Sequence, residues 1–257
     1  MDLVLVDRPA DGIAVVTLNR PAKHNALCTE LIATLQRLLG ELAGDDSLRA
    51  LVLTGAGPAF CAGLDLVELG EGAEFSPAAL EPLLSLPVPV IGAINGVAIT
   101  GGLELALACD FRIGSERARF ADTHARVGLT PAWGLTARLP QAVGQSWARQ
   151  MSMTGDFVDA PTALRIGLIN ELVAHESLVE RAVQLAASVT STDKATATRI
   201  RELYDLTRDQ TGAQTLTAEI ALSSDGVLIG DPEAFAARRA AVFARGRTQG
   251  SRATPRA

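Results

Sequence analysis

The chain has 257 residues, 48% hydrophobic and 20% charged, which is ample material for a core in one large domain or a domain with an appendage. Its 23 Lys and Arg against 29 Asp and Glu leave a net charge of −6, which argues against a nucleic-acid-binding face. Cys28, Cys61 and Cys109 are far apart, and His24, His124 and His175 show no HxxxH or HExxH spacing, so neither a disulfide framework nor a metal site is expected.

The start MDLVLVDRPADG lacks a basic segment followed by a long apolar stretch, and no run approaches bilayer-spanning length. A cytoplasmic protein with neither membrane nor nucleic acid as partner is expected. LVLVD and IAVVTLN, on either side of Asp11-Gly12, predict a hairpin. From Thr29, the spacing of Leu31, Leu35, Leu38 and Leu42 predicts an amphipathic helix ending near Gly44. ALVLTG (50–55) predicts a buried strand running into the glycine-rich loop GAGPAFCAGLDL, and the acidic, Gly/Pro-punctuated residues 68–82 predict a loop with at most a short helix. VPVIGAIN (88–95) predicts a second core strand leading into NGVAITGGLELALACD, and DFRIGS a third. After about Gly144 the spacing turns helical, and RTQGSRATPRA, with three arginines and no apolar anchor, reads as a frayed tail. The whole is an α/β pattern with a helical C-terminal part.

Nucleotide-loop and hydrolase motifs are missing. The third glycine of GxGxxG falls on Phe60, and neither GxxxxGK[ST] nor GxSxG occurs. More informative is Gly101-Gly102, directly ahead of an apolar helix. Amides at a helix start have no internal partners, and glycines let a ligand oxygen reach them, which is the geometry of an oxyanion hole. Glu104 lies in the first turn of that helix. It either complements the helix dipole or stands ionised as a general base, and both readings follow from its position. Around Cys61, Ala62 and Gly63 close backbone approach is again possible, with the Leu64 N–H as a second donor or the segment as a plain strand-to-loop turn.

LNRPAKHNAL (18–27), LTGAGPAFCAGLDL (53–66), PVIGAINGVAITGGLELALACDFRIGSERARF (89–120), VGLTPAWGLTARLPQAVG (127–144) and ALRIGLINELV (163–173) follow one another as in the enoyl-CoA hydratase/isomerase (crotonase) superfamily, which the chain resembles over most of residues 1–175. The resemblance implies an α/β fold, a ClpP/crotonase-type spiral of ββα units with a helical C-terminal region that forms trimers, often paired into hexamers. Residues 1–190 would be the core with the acyl-CoA site, 191–250 the C-terminal helices and 251–257 the tail.

It also implies that the Leu64 and Gly101 N–H groups hold the thioester oxygen. Coenzyme A would lie along Ala22, Lys23, His24 and Ala26 and along Ala62, Gly63, Leu64 and Asp65, although an exposed lysine such as Lys23 is commonly just solvated. Glu104 falls on the first catalytic glutamate, which activates the water that adds to C3. The second, the proton donor to C2, is replaced by His124, either an imidazolium donor or a histidine that merely bonds the pocket wall. A family glycine becomes Thr100, and PAWGL puts Trp133 and Leu135 in the PxxGG stretch, with Trp133 at the acyl end. Asp65 and Glu68 stand beside the first oxyanion segment, within reach of substrate or simply facing solvent. The expected activity is an enoyl-CoA hydratase-type lyase acting on a 2-enoyl-CoA, with no cofactor because coenzyme A belongs to the substrate. The alternatives are isomerase, decarboxylase or hydratase-lyase chemistry, or a non-catalytic acyl-CoA-binding protein.

Overall fold

Strands β1 (Val4–Ala10) and β2 (Ile13–Leu18) pair antiparallel across the Asp11-Gly12 turn, with Val4 opposite Leu18 and Val6 opposite Val16. Gly12 takes φ +74°, and a Cβ there would lie 2.7 Å from Arg49 Cγ, so the turn requires glycine. The hairpin begins a six-stranded sheet of order β1-β2-β3-β5-β7-β10, with β3 at Ala50–Gly55, β5 at Val90–Ile94, β7 at Phe111–Ser115 and β10 at Glu171–Val173. It is parallel from β2 onward. A four-stranded sheet, β4-β6-β8-β9, lies beside it, formed by Ala59–Cys61, Val97–Ile99, Arg119–Ala121 and Val158–Asp159.

These facts come from a computed structural model that describes residues 2–194 and the single positions 197, 198, 200, 201, 204, 233, 236, 237, 239, 240, 243, 244 and 247. The expected C-terminal helices over 191–250, with their trimerisation role, and the tail 251–257 otherwise fall outside the described residues.

The chain visits the two sheets alternately. β3 is followed by β4 and helix α2 (Leu66–Gly70), and α3 (Glu81–Leu84) then leads to β5. β5 is followed by β6 and α4 (Gly101–Leu107), and β7 by β8 and α5 (His124–Val127). This is the expected ββα repetition. It places the ends of the parallel strands β4, β6 and β8, with the helix start that follows each, on one side of the molecule, whereas β9 runs antiparallel to β8.

The central strands are covered on both faces. Leu51, Leu53, Val90 and Ile94 enter one core with α1 (Thr29–Ala43) and the small sheet, while Ala50, Val52, Ile91 and Ala93 meet Leu178, Ala182 and Ala186 of the later helix α7 (Leu178–Thr190). Two buried faces are why β3 and β5 are unbroken apolar runs.

Three details differ from expectation. The buried stripe of α1 is Leu31, Leu35, Leu39 and Leu42, with Leu38 only partly covered. Helix α6 (Leu135–Thr154) begins well ahead of Gly144, where non-helical φ 77° and ψ 159° join two helical stretches. Pro140, a residue that normally breaks a helix, conceals the first stretch in the sequence. Residues 68–82 hold parts of two short helices, the end of α2 and the start of α3, with the loop confined to 71–80, where at most one short helix was expected. No helix among the described residues is long and apolar enough to cross a membrane.

Candidate active site

Parallel pairing of β4 with β6, Ala59 opposite Val97 and Cys61 opposite Ala98, brings the chain segments that follow them together. The first bends at Gly63 with φ +89°, where a Cβ would lie 2.8 Å from the Ile99 carbonyl oxygen and 3.4 Å from the Gly101 nitrogen. The second bends at Thr100 with φ 55°, a strained value for a β-branched residue. Hydrogen bonds from Leu27 N–H to the Gly63 carbonyl and from Asp65 N–H to the Leu27 carbonyl (2.8 and 3.0 Å) fix the first bend, and Thr100 N–H to the Ala121 carbonyl (2.9 Å) fixes the second. Between these anchors, the N–H groups of Leu64 and Gly101 donate to no described residue, and both residues line one cleft. Gly101 and Gly102 are themselves the first residues of α4, not residues ahead of it, and Thr100 is its cap.

Glu104 is only 2% exposed. Its Oε1 accepts the Trp133 N–H at 2.9 Å, and Oε2 lies 3.8 Å from His124 Nε2. The Thr100 N–H that a capping glutamate would take is held by Ala121 instead, so the carboxylate is not a capping-box partner. His124 opens α5 with its Nδ1 2.7 Å from Asp122 Oδ1, and the same oxygen accepts the His124 N–H at 3.1 Å. Burial alone would push the Asp122 carboxyl up, but the hydrogen bond and charge of His124 hold it below its ordinary value. The Ser152 hydroxyl, outside hydrogen-bond geometry, acts in the same direction. The result is a row of three side chains, Asp122, His124 and Glu104. Asp122 is absent from the sequence-based expectations. Its only signal was an Asp two residues before a histidine, an Asx-turn pattern that by itself points to no chemistry.

The cleft holds about 940 Å³. Leu64, Leu69, Phe75, Ile99, Val127 and Trp133 supply apolar wall, with Glu104, His124, Thr123, Glu74 and Arg126 among the polar groups. The Trp133 ring packs over the second bend, its Cζ3 3.1 Å from where a Gly101 Cβ would lie, and its Nε1 donates to the Ser76 carbonyl at 2.9 Å. One residue thus holds the Glu104 carboxylate by its main chain and ties down the 71–80 loop by its side chain. The Thr100 hydroxyl contacts that of Thr123 at 2.6 Å and accepts the Thr123 N–H at 3.1 Å, joining the second bend to the start of α5.

The expected coenzyme A positions divide. His24 and Ala62 line the cleft, joined by the Ala62 N–H to His24 carbonyl bond at 3.0 Å, whereas Ala22 and Lys23 are exposed beside it and Ala26 is half-buried. The Asp65 side chain does not line the cleft. It meets Arg20 at 2.6 Å and caps α2 by accepting the Val67 N–H at 3.0 Å. Nor does Glu68 line the cleft, and its Oε2 takes the Thr29 N–H and hydroxyl at 2.8 and 3.1 Å. Asn25, missed in the sequence, is fully buried with Nδ2 2.8 Å from the Ala59 carbonyl, and its Oδ1 accepts the Arg20 N–H at 2.8 Å. It staples the loop between β3 and β4.

Burial raises the Asp65 carboxyl, but Arg20 and the Val67 N–H outweigh it and hold the group below its ordinary value. A depressed folded value stabilises above the unfolded carboxylate pKa of about 3.9 and loses that contribution as pH falls through the folded value. Asp65→Asn is therefore expected to cost about 1–2 kcal/mol in urea denaturation at pH 7, with the gap to wild type closing below about pH 4. A gap unchanged at acid pH would contradict the ion-pair origin.

The family model described as enoyl-CoA hydratase/isomerase matches residues 8–243. The chain belongs to the enoyl-CoA hydratase/isomerase family. A crystal structure of the enoyl-CoA hydratase from Mycobacterium tuberculosis H37Rv is 46% identical, with a TM-score of 0.81 over 87% of this chain and 98% of that one. The short-chain-enoyl-CoA hydratase of Clostridium acetobutylicum is 39% identical over 70% of this chain and 72% of its own. A monofunctional enoyl CoA isomerase from M. smegmatis is 37% identical, with a TM-score of 0.72 over 80% of this chain and 94% of that one. The ββα spiral is thus the crotonase fold, and the protein is an enzyme of the enoyl-CoA hydratase/isomerase family. Relatives named for hydration and for isomerisation share its scaffold. Among its described residues, no group of three or more His, Cys, Asp or Glu is placed to hold a metal ion.

Proposed function

We propose that this enzyme adds water across the 2,3 double bond of a 2-enoyl-CoA thioester. The observation that carries the reading is the convergence of two unengaged amides, Leu64 and Gly101, in the cleft that contains the buried Glu104 carboxylate. The thioester oxygen accepts both N–H groups. Glu104 removes a proton from water as its oxygen bonds to C3, and the C2–C3 π electrons move into an enolate whose charge rests on the thioester oxygen. Each amide is worth about 3–4 kcal/mol at that moment, when charge has developed. His124, as imidazolium, delivers its Nε2 proton to C2. The proton held by Glu104 then crosses the 3.8 Å gap to Nε2 and restores both groups. One water is consumed, and the coenzyme A arrives with the substrate.

Incubation with a panel of 2-enoyl-CoA esters tests the proposal. Loss of the conjugated enoyl absorbance with formation of the 3-hydroxyacyl product is expected, and no turnover of any ester between about pH 6 and 9 would refute it. A second reading, 3-enoyl to 2-enoyl isomerisation, draws on the replacement of the second glutamate by His124, which leaves one carboxylate to carry a proton between C2 and C4. Conversion of 3-enoyl esters without hydration would select it. A non-catalytic acyl-CoA binder fits less well, because binding alone gives no reason to keep a carboxylate 2% exposed in an apolar cleft.

A further inference from the structure

We propose that Asp122 is a positioning residue for proton transfer, fixing the His124 ring so that only Nε2 exchanges protons with the substrate and with Glu104. The inference rests on the reading of His124 as the proton donor and goes beyond it.

Asp122 follows β8 and is 1% exposed, and it does not line the cleft. Both hydrogen bonds its carboxylate makes among the described residues come from His124, one from Nδ1 and one from the main-chain N–H, and both reach Oδ1. The main-chain bond sets the turn into α5, and an asparagine could make it equally well. The charge serves the ring. A buried carboxylate is costly unless paired, and here its partner is a side chain that opens onto the cleft. Oδ2 has no hydrogen-bond partner among the described residues, and the Ser152 hydroxyl favours the anion less than His124 does, so the histidine is its main support.

The consequence concerns which nitrogen reacts. An ionised carboxylate only accepts hydrogen bonds, so Nδ1 keeps its hydrogen whether the ring is neutral or cationic. Nε2 is then the one nitrogen that gains and loses a proton, and it faces Glu104 Oε2 at 3.8 Å. Without Asp122 the neutral ring is free to carry its hydrogen on Nε2, where it cannot accept the proton returning from Glu104. The aspartate behind a catalytic histidine in hydrolase triads sets a tautomer in the same manner. Here the second group on the reacting nitrogen is a carboxylate rather than a serine.

The test uses the full-length enzyme labelled with 15N in its histidine rings, with His124→Ala assigning the signals. Through a pH titration of wild type, Nδ1 of His124 is expected to stay protonated while only Nε2 changes. In Asp122→Ala the neutral ring is expected to shift toward the Nε2–H form, with kcat falling about 10- to 100-fold and KM moving less than about twofold. A wild-type ring that loses its Nδ1 hydrogen while Nε2 keeps its own would overturn the inference, and so would wild-type kcat in a folded Asp122→Ala enzyme. If that variant does not fold, the wild-type spectra decide alone. Wild-type hydration by His124→Ala would instead sink the role of His124 itself, which separates the two failures.

Discussion

Glu104→Gln is expected to lower kcat for hydration by about 100- to 10,000-fold while leaving the fold intact. The amide matches the carboxylate in shape, and its oxygen can still accept the Trp133 N–H now bound at 2.9 Å. What it cannot do is take a proton from water. Thermal stability should change little, because the substitution removes a charge from a site 2% exposed while keeping its hydrogen bond. KM should also hold, since the proposed mechanism assigns the thioester oxygen to the Leu64 and Gly101 amides rather than to this carboxylate. Steady-state kinetics with a 2-enoyl-CoA and a thermal melt read both quantities. Turnover within a few-fold of wild type would remove Glu104 from the chemistry.

Gly102→Ala should damage stability and activity together. A Cβ at this position would overlap the Cys61 carbonyl oxygen and lie 2.7 Å from its carbon. Both partners are buried main chain, the start of α4 on one side and the end of β4 on the other, so no side chain can swing away. Relief requires the two bends to separate, and their contact is what aims the Leu64 and Gly101 amides at one point. The expected cost is on the order of 3 kcal/mol or more in unfolding free energy. The surviving folded enzyme should lose about 100-fold or more in kcat, the scale of a lost oxyanion donor. Gly40→Ala is the matched control. It sits within α1 with nothing near its would-be Cβ, and alanine there should stabilise by about 0.5–1 kcal/mol without touching turnover. If Gly102→Ala behaves like the control, the two bends do not depend on their close approach.

Both predictions rest on features that were visible in the sequence to different degrees. The continuous apolar runs of β3 and β5, the leucine spacing of α1 and the odd placement of Glu104 in an apolar helix could be read directly, because burial on both faces of a sheet or along one helix stripe leaves a local periodic imprint. The paired glycine segments carried the two amides, because close main-chain approach demands small residues wherever it occurs. From these the α/β class followed, with Glu104 open between a dipole complement and a base, while the family resemblance rested on five motif stretches in their order.

Strands β4, β6, β8 and β9 left no such imprint. With two or three residues each, they are too short to show alternation, and they exist because successive ββα units set them side by side. The roles of polar groups were hidden for a related reason. Asp65 and Glu68 adjoin the oxyanion segment in sequence, yet their side chains serve Arg20, Val67 and Thr29. Asp122 instead stands behind the His124 ring. Residue order alone determined which groups the chain could offer. Several of those side chains are directed by partners tens of residues away, Asp65 by Arg20 and Glu104 by Trp133, and so the tertiary structure alone decided which of those groups meet at the cleft.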